Sequence, residues 1–385
     1  MMYAIAFEKS KPILDKLISN GFEAYIVGGA VRDYLLGVPF HDIDIVTSAT
    51  VEEIQSVFKH TAPVGIRHGT VIVVEDGRSF EVTSFRGADQ KTLFVDLQHR
   101  DFTINAIAMS VTQEVIDPFD GMSDLKKRII RAVESAQERF REDPLRLLRA
   151  IRFVSERSFR MESSTFEAIK TQAHLIQTVA LERSTAEFER ILQGKHVHEA
   201  LRLFVKTELY QSLFYTEDKK DQLIQVSRLS LGDLQTIAEY WAAFLVCLEM
   251  KQPVRLLKQL KRSNQLVSEV RTIIDTYHAY QRTGWTSLLV YDIGLRLACQ
   301  TERMIAVMSN READLKAIEK VFHQLTITDR SQLKVDGNDV ITLVNRPPGP
   351  WVKQALRDIE IAIVNQELVN DREQILCWID KGGVT

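Results

Sequence analysis

Residues 26–47, IVGGAVRDYLLGVPFHDIDIVT, decide the fold of the first third of the chain. The stretch begins with a β-branched run, breaks at Gly28 and Gly29, and ends in a second β-branched run that contains Asp42 and Asp44. β-branched runs bounded by glycines are typical of strands, and the apolar spacing between them is typical of a short helix. The stretch therefore predicts a strand, a glycine turn, a helix and a second strand that carries two carboxylates.

The two carboxylates predict a metal site. Asp42 and Asp44 are two positions apart, so on one buried strand both side chains would point to the same face. They would repel each other without a cation between them, and Mg²⁺ prefers oxygen ligands while keeping positions open for phosphates. Gly28 and Gly29 would leave backbone N–H groups free for those phosphates at the start of the helix. The alternatives are a plain tight turn for the glycines and a solvated strand edge for the aspartates.

The composition is that of a globular protein with two or more domains. The chain has 385 residues, of which 45% are hydrophobic and 26% are charged. No apolar run reaches the length of a membrane span and the start lacks a signal-peptide pattern, so we expect a cytoplasmic protein with no membrane partner. The cysteines, Cys247, Cys299 and Cys377, have no metal-binding spacing, which predicts buried thiols in a reducing compartment.

The pattern changes after the first third of the chain. Two alternating runs joined at Asp76 and Gly77 predict a β-hairpin over residues 68–86, and from residue 127 onward the periodicity is helical. The predicted fold class is therefore α+β, with an N-terminal mixed sheet and helices followed by an all-helical remainder. Glu81, in the second strand of the hairpin, is either solvent-facing or a third carboxylate beside Asp42 and Asp44.

Three polar residues lie in an apolar segment, HRDFTINAIAM, that begins at residue 99. They are Arg100, Asp101 and Asn105. Half-buried polar groups need partners, and the triphosphate or ribose of a nucleotide is one possibility.

Positive charge is concentrated in residues 126–160. This segment has eleven Lys or Arg and five Asp or Glu, a net charge of +6, whereas the whole chain carries -3. Within it, REDPLRLLRAIRF predicts a helix that begins near Asp143 and carries Arg146, Arg149 and Arg152 on one slowly drifting face.

Asp143 and Arg146 together suggest recognition of a base. An arginine can donate to N3 and O2 of cytosine or to N1 of adenine, and a carboxylate accepts from the amino group of either. Such a pair admits C and A and rejects U, since the wrong base leaves buried groups unsatisfied. The alternative is a capping aspartate with an ion pair between residues three apart on a solvated face.

Seven motifs occur in fixed order: GGAVRD, DIDIVT, EVTSF, RDFTINAIAM, DPFDG, REDPLRLLRAIRF and ERSTAEFERIL. In this order they resemble bacterial class II tRNA nucleotidyltransferases, the enzymes that build the 3′-terminal CCA of tRNA. The likeness is dense over residues 22–195 and looser beyond them. It implies a polymerase beta-like nucleotidyltransferase head over residues 1–126, a helical neck with the base-reading motif over 127–195, and a helical body (196–325) and tail (326–385) that bind tRNA.

The resemblance also implies roles for residues. Asp42 and Asp44 would hold the catalytic Mg²⁺ ions, with Glu81 as the third catalytic carboxylate. The residues implied to bind the nucleotide are Gly28, Gly29, Arg32, Asp33, Arg100, Asp101, Asn105, Asp143, Arg146, Arg149 and Arg152.

One segment departs from the family pattern. Only residues 87–99 separate Arg86 from Arg100, and LFVDL within them belongs to the next element, so the longer polar loop that CCA-adding members have here is missing. Family members without the loop stop after two cytidines. The resemblance therefore predicts an enzyme that adds two C residues from CTP to tRNA lacking its 3′ CCA, and that depends on a separate A-adding enzyme.

Three alternatives remain open at the level of sequence. The first is a full CCA-adding enzyme that uses CTP and ATP. The second is a bacterial poly(A) polymerase, although such chains usually carry a basic C-terminal extension and this one ends in WIDKGGVT. The third is an inactive tRNA-binding protein, against which the intact Asp42, Asp44 and Arg146 argue.

Overall fold

The computed structural model describes residues 2–40, 42–63, 69–87, 91–214 and 219–383. The chain divides into two compact units, Met1–Asp218 and Lys219–Thr385. The described strands all belong to the first unit, and the described elements of the second are helical. The predicted α+β class is confirmed, whereas the finer division after residues 126, 195 and 325 stays a prediction.

A mixed sheet organises the first part of the first unit. Its strands in the described residues are β1 (Ala24–Val27), β2 (Asp44–Thr47), β3 (Thr61–Pro63), β4 (Thr70–Glu75), β5 (Arg78–Ser84), β6 (Ala108–Met109) and β7 (Val115–Ile116). Their order across the sheet is β3-β4-β5-β2-β1-β6-β7. β2 and β5 run parallel, whereas the other neighbouring pairs are antiparallel.

Helices cover both faces of this sheet. They are α1 (Met2–Ser19), α2 (Gly29–Leu35), α3 (Val51–Val57), α4 (Leu93–Gln98) and α5 (Gly121–Lys127). On one face, Val27 and Val46 pack with Leu97 of α4. Their strand neighbours Ile26 and Ile45 point to the opposite face and are also buried, on the side where α1 and α3 contact the strands.

Local sequence signals produced the turns and caps in this region. The hairpin β4–β5 turns at Asp76 and Gly77, both with positive φ, as the sequence predicted. α3 begins with a capping box in which Thr50 accepts from the N–H of Glu53 and the Glu53 side chain accepts from the N–H of Thr50. One prediction was wrong: β2 begins at Asp44, so Asp42 precedes the strand and strand alternation does not fix its side chain.

The rest of the first unit is mainly helical. Its helices are α6 (Ala136–Glu142), α7 (Leu145–Arg157), α8 (Ser163–Gln172), α9 (Leu181–Leu192), α10 (Val197–Lys206) and α11 (Leu209–Phe214). A short parallel pair, β8 (Ile129–Ile130) with β9 (Arg160–Met161), interrupts the region that the sequence predicted to be all helical. Gly194 lets the chain pass close to α7, because a Cβ there would lie 2.1 Å from the Ser155 Oγ.

The second unit consists of helices and their connections in the residues described. They are α12 (Lys220–Val226), α13 (Ile237–Cys247), α14 (Pro253–Gln259), α15 (Asn264–Thr283), α16 (Ser287–Met308), α17 (Leu315–His323), α18 (Gly337–Val344), α19 (Pro350–Val364) and α20 (Arg372–Asp380). α16 is kinked at Gly294, which has a φ of 74°. No helix in the described part of the chain has the length and apolar character needed to span a bilayer.

The cysteine prediction was partly wrong. All three thiols are free, but Cys247 and Cys299 are only half-buried and Cys377 is exposed. Cys377 lies on α20, and the helical repeat turns it away from Ile375 and Ile379, which face the core of the second unit.

Candidate functional site

A polar cleft in the first unit collects most of the predicted site residues. It has a volume of about 530 Å³ and is lined by eight arginines and five carboxylates, together with glycines, Asn105 and Phe153. Twelve of the fourteen predicted residues line it, and the two that do not are Asp42 and Glu81. The excess of guanidinium over carboxylate groups suits a polyanion such as a nucleoside triphosphate.

Asp44 lines this cleft, and Asp42 and Glu81 lie near Asp44 without lining it. Asp44 of β2 and Glu81 of β5 are paired in register on the parallel strands, so their side chains share one face of the sheet. Partial burial raises the pKa of Asp44, Arg100 opposes this rise, and the nearby Asp42 adds to it. Burial also raises the pKa of Glu81, and repulsion from Asp44 and Asp42 adds to that rise. Carboxylates that raise one another's pKa in this way favour a cation between them.

The position of Asp42 differs from the prediction. Asp42 lines a neighbouring cleft of about 390 Å³ together with Lys9, Phe40 and Arg78. In the residues described, no group of three or more His, Cys, Asp or Glu side chains has the geometry of a metal site. A magnesium ion needs only one or two protein carboxylates when phosphate oxygens and water complete its coordination. Asp42, Asp44 and Glu81 therefore fit a magnesium ion by their donor chemistry, and the metal site stays a prediction.

The glycine turn lets an arginine approach the backbone. Gly28 has a φ of 72°, and a Cβ at this position would lie 2.8 Å from Nη1 of Arg100 and 3.8 Å from a carboxylate oxygen of Asp44. Only glycine combines this backbone conformation with so close a contact. The turn thus brings a guanidinium group and the catalytic end of the cleft together.

A chain of hydrogen bonds fixes the polar residues that follow the turn. Arg32 pairs with Asp33 at 2.9 Å and donates to the side-chain oxygen of Asn105 at 2.6 Å. Asn105 donates to Asp101 at 2.8 Å, and Arg149 donates to the other oxygen of Asp101. The sequence predicted that these buried polar groups need partners, and the structure shows that they largely satisfy one another.

Asp33 connects α2 with α7. Its carboxylate accepts from both Arg32 and Arg157, the latter at 3.1 Å. Asp33 also lines the cleft and holds two of its arginines in place, and its predicted binding of the nucleotide stays a prediction.

The base-reading candidates lie in the cleft but are not paired with each other. Arg146 donates to the backbone oxygens of His99 and Arg139 and pairs with Glu142 at 3.1 Å. Asp143 accepts from the N–H of Leu145 and lies 3.6 Å from Arg183. The ion pair between residues three apart, considered from the sequence, is therefore absent, because Asp143 is the C-cap of α6, at the break before α7, and its carboxylate accepts from the Leu145 N–H instead.

Arg152 has carboxylate partners of its own. It is 5% exposed and pairs with Glu187 at 2.6 Å and with Glu156 at 2.9 Å. The ring of Phe153 lies between two guanidinium groups, 4.7 Å from that of Arg152 and 5.1 Å from that of Arg32. These contacts fix the wall of the cleft.

Five cleft residues were missed at the level of sequence: Arg86, Phe153, Glu156, Arg157 and Arg190. Two of them could have been found by continuing the helical spacing of Arg146 and Arg149 along α7, which leads to Glu156 and Arg157. Arg190, on α9, reaches the cleft through helix packing and pairs with Glu156 at 2.9 Å.

Three family models match the chain. "Poly A polymerase head domain" matches residues 24–131, "RNA and SrmB- binding site of polymerase A" matches residues 158–217, and "tRNA nucleotidyltransferase domain 2" matches residues 233–379.

Curated relatives align with nearly the whole chain. The CCA-adding enzyme of Bacillus mycoides strain KBAB4 is 38% identical over 390 positions, covering 97% of this chain and 98% of the relative. The CCA-adding enzyme of Bacillus cereus strain B4264 is 38% identical over 388 positions with the same coverage.

Solved structures show the same similarity. The crystal structure of the Bacillus stearothermophilus CCA-adding enzyme in complex with CTP has a TM-score of 0.93 and 38% identity, covering 98% of this chain and 97% of that chain. The Thermotoga maritima CCA-adding enzyme, complexed with tRNA, has a TM-score of 0.67 and 22% identity over 97% of this chain and 95% of that chain, a likeness of fold alone.

Proposed function

This chain belongs to the class II CCA-adding enzyme family, a family of tRNA nucleotidyltransferases, and we propose that it adds the whole CCA sequence to the 3′ end of tRNA from CTP and ATP. One observation carries this proposal: relatives that are 38% identical over 97% of the chain are CCA-adding enzymes. The arginine-rich cleft with carboxylates at one end supports the same chemistry, because nucleotidyl transfer needs cations around the triphosphate and a carboxylate site beside it.

The proposed reaction is an in-line attack of the tRNA 3′-hydroxyl on the α-phosphate of the bound nucleotide. Asp42, Asp44 and Glu81 would hold magnesium, which when bound lowers the pKa of the attacking hydroxyl and neutralises the leaving pyrophosphate. Arg32 and Arg100 would hold the phosphates in the cleft. Positioning of the two substrates then supplies much of the rate enhancement, and no covalent enzyme intermediate is needed.

Base selection is assigned to Asp143 and Arg146. Both line the cleft, and both have partners in the protein that fix their position without filling every donor or acceptor. Arg146 would donate to the ring nitrogen of C or A, and Asp143 would accept from the amino group. Uracil presents a donor where Arg146 requires an acceptor, so UTP is excluded.

A second candidate is addition of two C residues only, with A added by a separate enzyme. The observation that favours it is the short connection between Arg86 and Arg100, where residues 87–99, which include α4, stand in place of the longer family loop. Residues 88–90 of this connection lie outside the described residues. The alignment with the Bacillus mycoides enzyme runs over 390 positions although this chain has 385 residues, so the relative has residues that this chain lacks.

The length of the product decides between the two candidates. We expect a tRNA transcript lacking CCA, incubated with CTP and ATP, to gain three nucleotides, as resolved on a sequencing gel. A product that stops at two nucleotides would replace the first candidate with the second. A transcript that already ends in CC, given ATP alone, is the matched control, because it tests the third addition without the first two.

A further inference from the structure

Asp96 is a buried carboxylate that the proposed mechanism does not use. It lies on α4 and its side chain is 0% exposed. One of its oxygens accepts from Nε and Nη2 of Arg100, at 3.2 and 3.0 Å. The other accepts from the backbone N–H of Arg86 at 3.2 Å and lies 3.9 Å from the Nε of Arg86. Burying a carboxylate without such partners would cost free energy. Asp96 thus holds Arg86 and Arg100 close to each other, one on each of its oxygens.

The geometry of this pairing directs Arg100 toward the catalytic end of the cleft. Asp96 occupies the edge of the guanidinium formed by Nε and Nη2. The remaining Nη1 lies 2.8 Å from the position that a Cβ of Gly28 would occupy, and a carboxylate oxygen of Asp44 lies 3.8 Å from the same position. Arg100 therefore keeps donors available at the position where phosphates would meet the carboxylates.

Arg86 is in the same cleft with only partial pairing. It follows β5, and its side chain is 47% exposed. Partial burial and the neighbouring Arg100 lower the pKa of Arg86, and Asp96 offsets part of this effect. A cation in such a place gains stability when an anion binds, because the anion reduces its repulsion with Arg100.

We propose that Arg86 and Arg100 form an arginine clamp that binds the triphosphate of the incoming nucleotide, and that Asp96 is the positioning residue that holds the clamp. The assignment of the ligand rests on the proposed function. Arg86 and Arg100 line the same cleft as Asp44, and both are bound to Asp96. A triphosphate, with its charge concentrated beside the metal-binding carboxylates, fits this end better than a neutral base edge does.

The clamp and its positioning residue flank or lie within residues 87–99, the segment that is shorter than in the family pattern. Arg86 precedes residues 87–99, Arg100 follows them, and Asp96 lies within them and contacts both arginines. The shortened segment therefore includes, on α4, the residue that would position both arginines.

The test compares Arg86→Ala and Asp96→Asn with Asp124→Asn. Asp124, on α5, is the matched control. Like Asp96 it is a buried carboxylate paired with an arginine, since it is 3% exposed and lies 3.0 Å from Arg131, but neither it nor Arg131 lines the cleft. We expect Arg86→Ala and Asp96→Asn each to raise the KM for CTP about tenfold or more, with a smaller effect on kcat and none on the KM for tRNA. Weaker inhibition by pyrophosphate, by a similar factor, should accompany these changes, and Asp124→Asn should leave the KM for CTP unchanged.

Several outcomes would overturn the clamp. An unchanged KM for CTP in Arg86→Ala removes Arg86 from the nucleotide site. A raised KM for tRNA instead assigns Arg86 to an RNA phosphate. An effect of Asp96→Asn no larger than that of Asp124→Asn makes Asp96 a structural residue only.

A binding measurement separates failure of the clamp from failure of the proposed function. Titration calorimetry of CTP with the wild type and Arg86→Ala needs no turnover, and Arg86 is exposed enough that its truncation leaves the core intact. If the wild type binds CTP and Arg86→Ala binds it about tenfold more weakly, the clamp is supported even when no nucleotide is incorporated into tRNA. Equal binding by both proteins contradicts it, whatever the activity on tRNA.

Discussion

Asp101 shows how one side chain can organise the cleft. Burial alone would raise the pKa of Asp101, but Arg149 and hydrogen bonds from Asn105 and the Phe102 N–H hold it well below its usual range. These partners therefore favour the ionised form of Asp101, which accepts from Arg149. Asp44 differs, because its pKa is raised and its main neighbour of like charge is Asp42. The first carboxylate is satisfied within the protein, whereas the raised pKa of the second suits the cation that we propose there.

Replacing Asp44 by Asn tests the metal site at the scale of a single residue. We expect Asp44→Asn to lower kcat by about a thousandfold, because a bound metal contributes several kcal/mol of transition-state stabilisation. Binding of tRNA, measured by filter retention, should be unchanged, since Asp44→Asn keeps the size of a side chain at the start of β2 and removes only its charge.

Asp76→Asn is the control for this prediction. Asp76 lies at the tip of the hairpin with a φ of 50°, a conformation that Asn also adopts, so its activity should stay near that of the wild type. Near-normal turnover by Asp44→Asn would contradict the metal assignment.

At the scale of elements, the parallel pair β2–β5 brings together two of the carboxylates that we propose to be catalytic. The strands align Asp44 with Glu81 and place Ile45 beside Val82 in the core. A shift of one residue in this register would turn one carboxylate into the core and an apolar side chain into the cleft. α3 follows β2 and packs on the sheet, so its stability supports this register.

Removing the cap of α3 should destabilise the sheet domain. Thr50→Ala deletes the hydroxyl that accepts from the N–H of Glu53, and we expect the free energy of unfolding to fall by about 1 kcal/mol. Urea unfolding followed by circular dichroism measures this change. Ser56→Ala, on the exposed side of the same helix, should be neutral or slightly stabilising, and an equal loss in both variants would rule out the cap as the cause.

At the scale of the whole molecule, charge is distributed unevenly. The chain carries -3 overall, yet residues 126–160 carry eleven Lys or Arg and five Asp or Glu. Because the net charge is negative while this segment is positive, a polyanion would bind to the local positive patch and would not be attracted by the protein as a whole. Much of this patch consists of α6 and α7, which line the cleft or lead into it.

Binding of the proposed tRNA substrate should therefore depend on salt. Each phosphate neutralised by Lys or Arg releases counterions, so a fourfold rise in KCl should weaken binding about threefold per contact. A few such contacts should together lower the affinity for tRNA about tenfold or more between 50 and 200 mM KCl. Fluorescence anisotropy with labelled tRNA measures this change. The matched measurement uses a neutral-backbone oligonucleotide of the same 3′ sequence, which should show little salt dependence. A salt-independent affinity for tRNA would exclude phosphate contacts as the main source of binding.

The sequence by itself determined the local elements and the candidates for chemistry. The glycine turn at Gly28, the hairpin at Asp76 and the helix after Asp143 follow from φ preferences and periodicities that act over a few residues. The order of the motifs then indicated the family, and twelve of the fourteen predicted residues do line one cleft.

The tertiary structure alone decided which of these residues meet and which are already paired. Parallel pairing of β2 with β5 aligns Glu81 with Asp44, and helix packing brings Arg190 to α7. Asp96 gave no signal in the sequence, because a carboxylate on a short helix is usually solvated, and only its complete burial between two arginines gives it a role. Contacts between residues far apart in the chain depend on packing, which local sequence patterns do not encode.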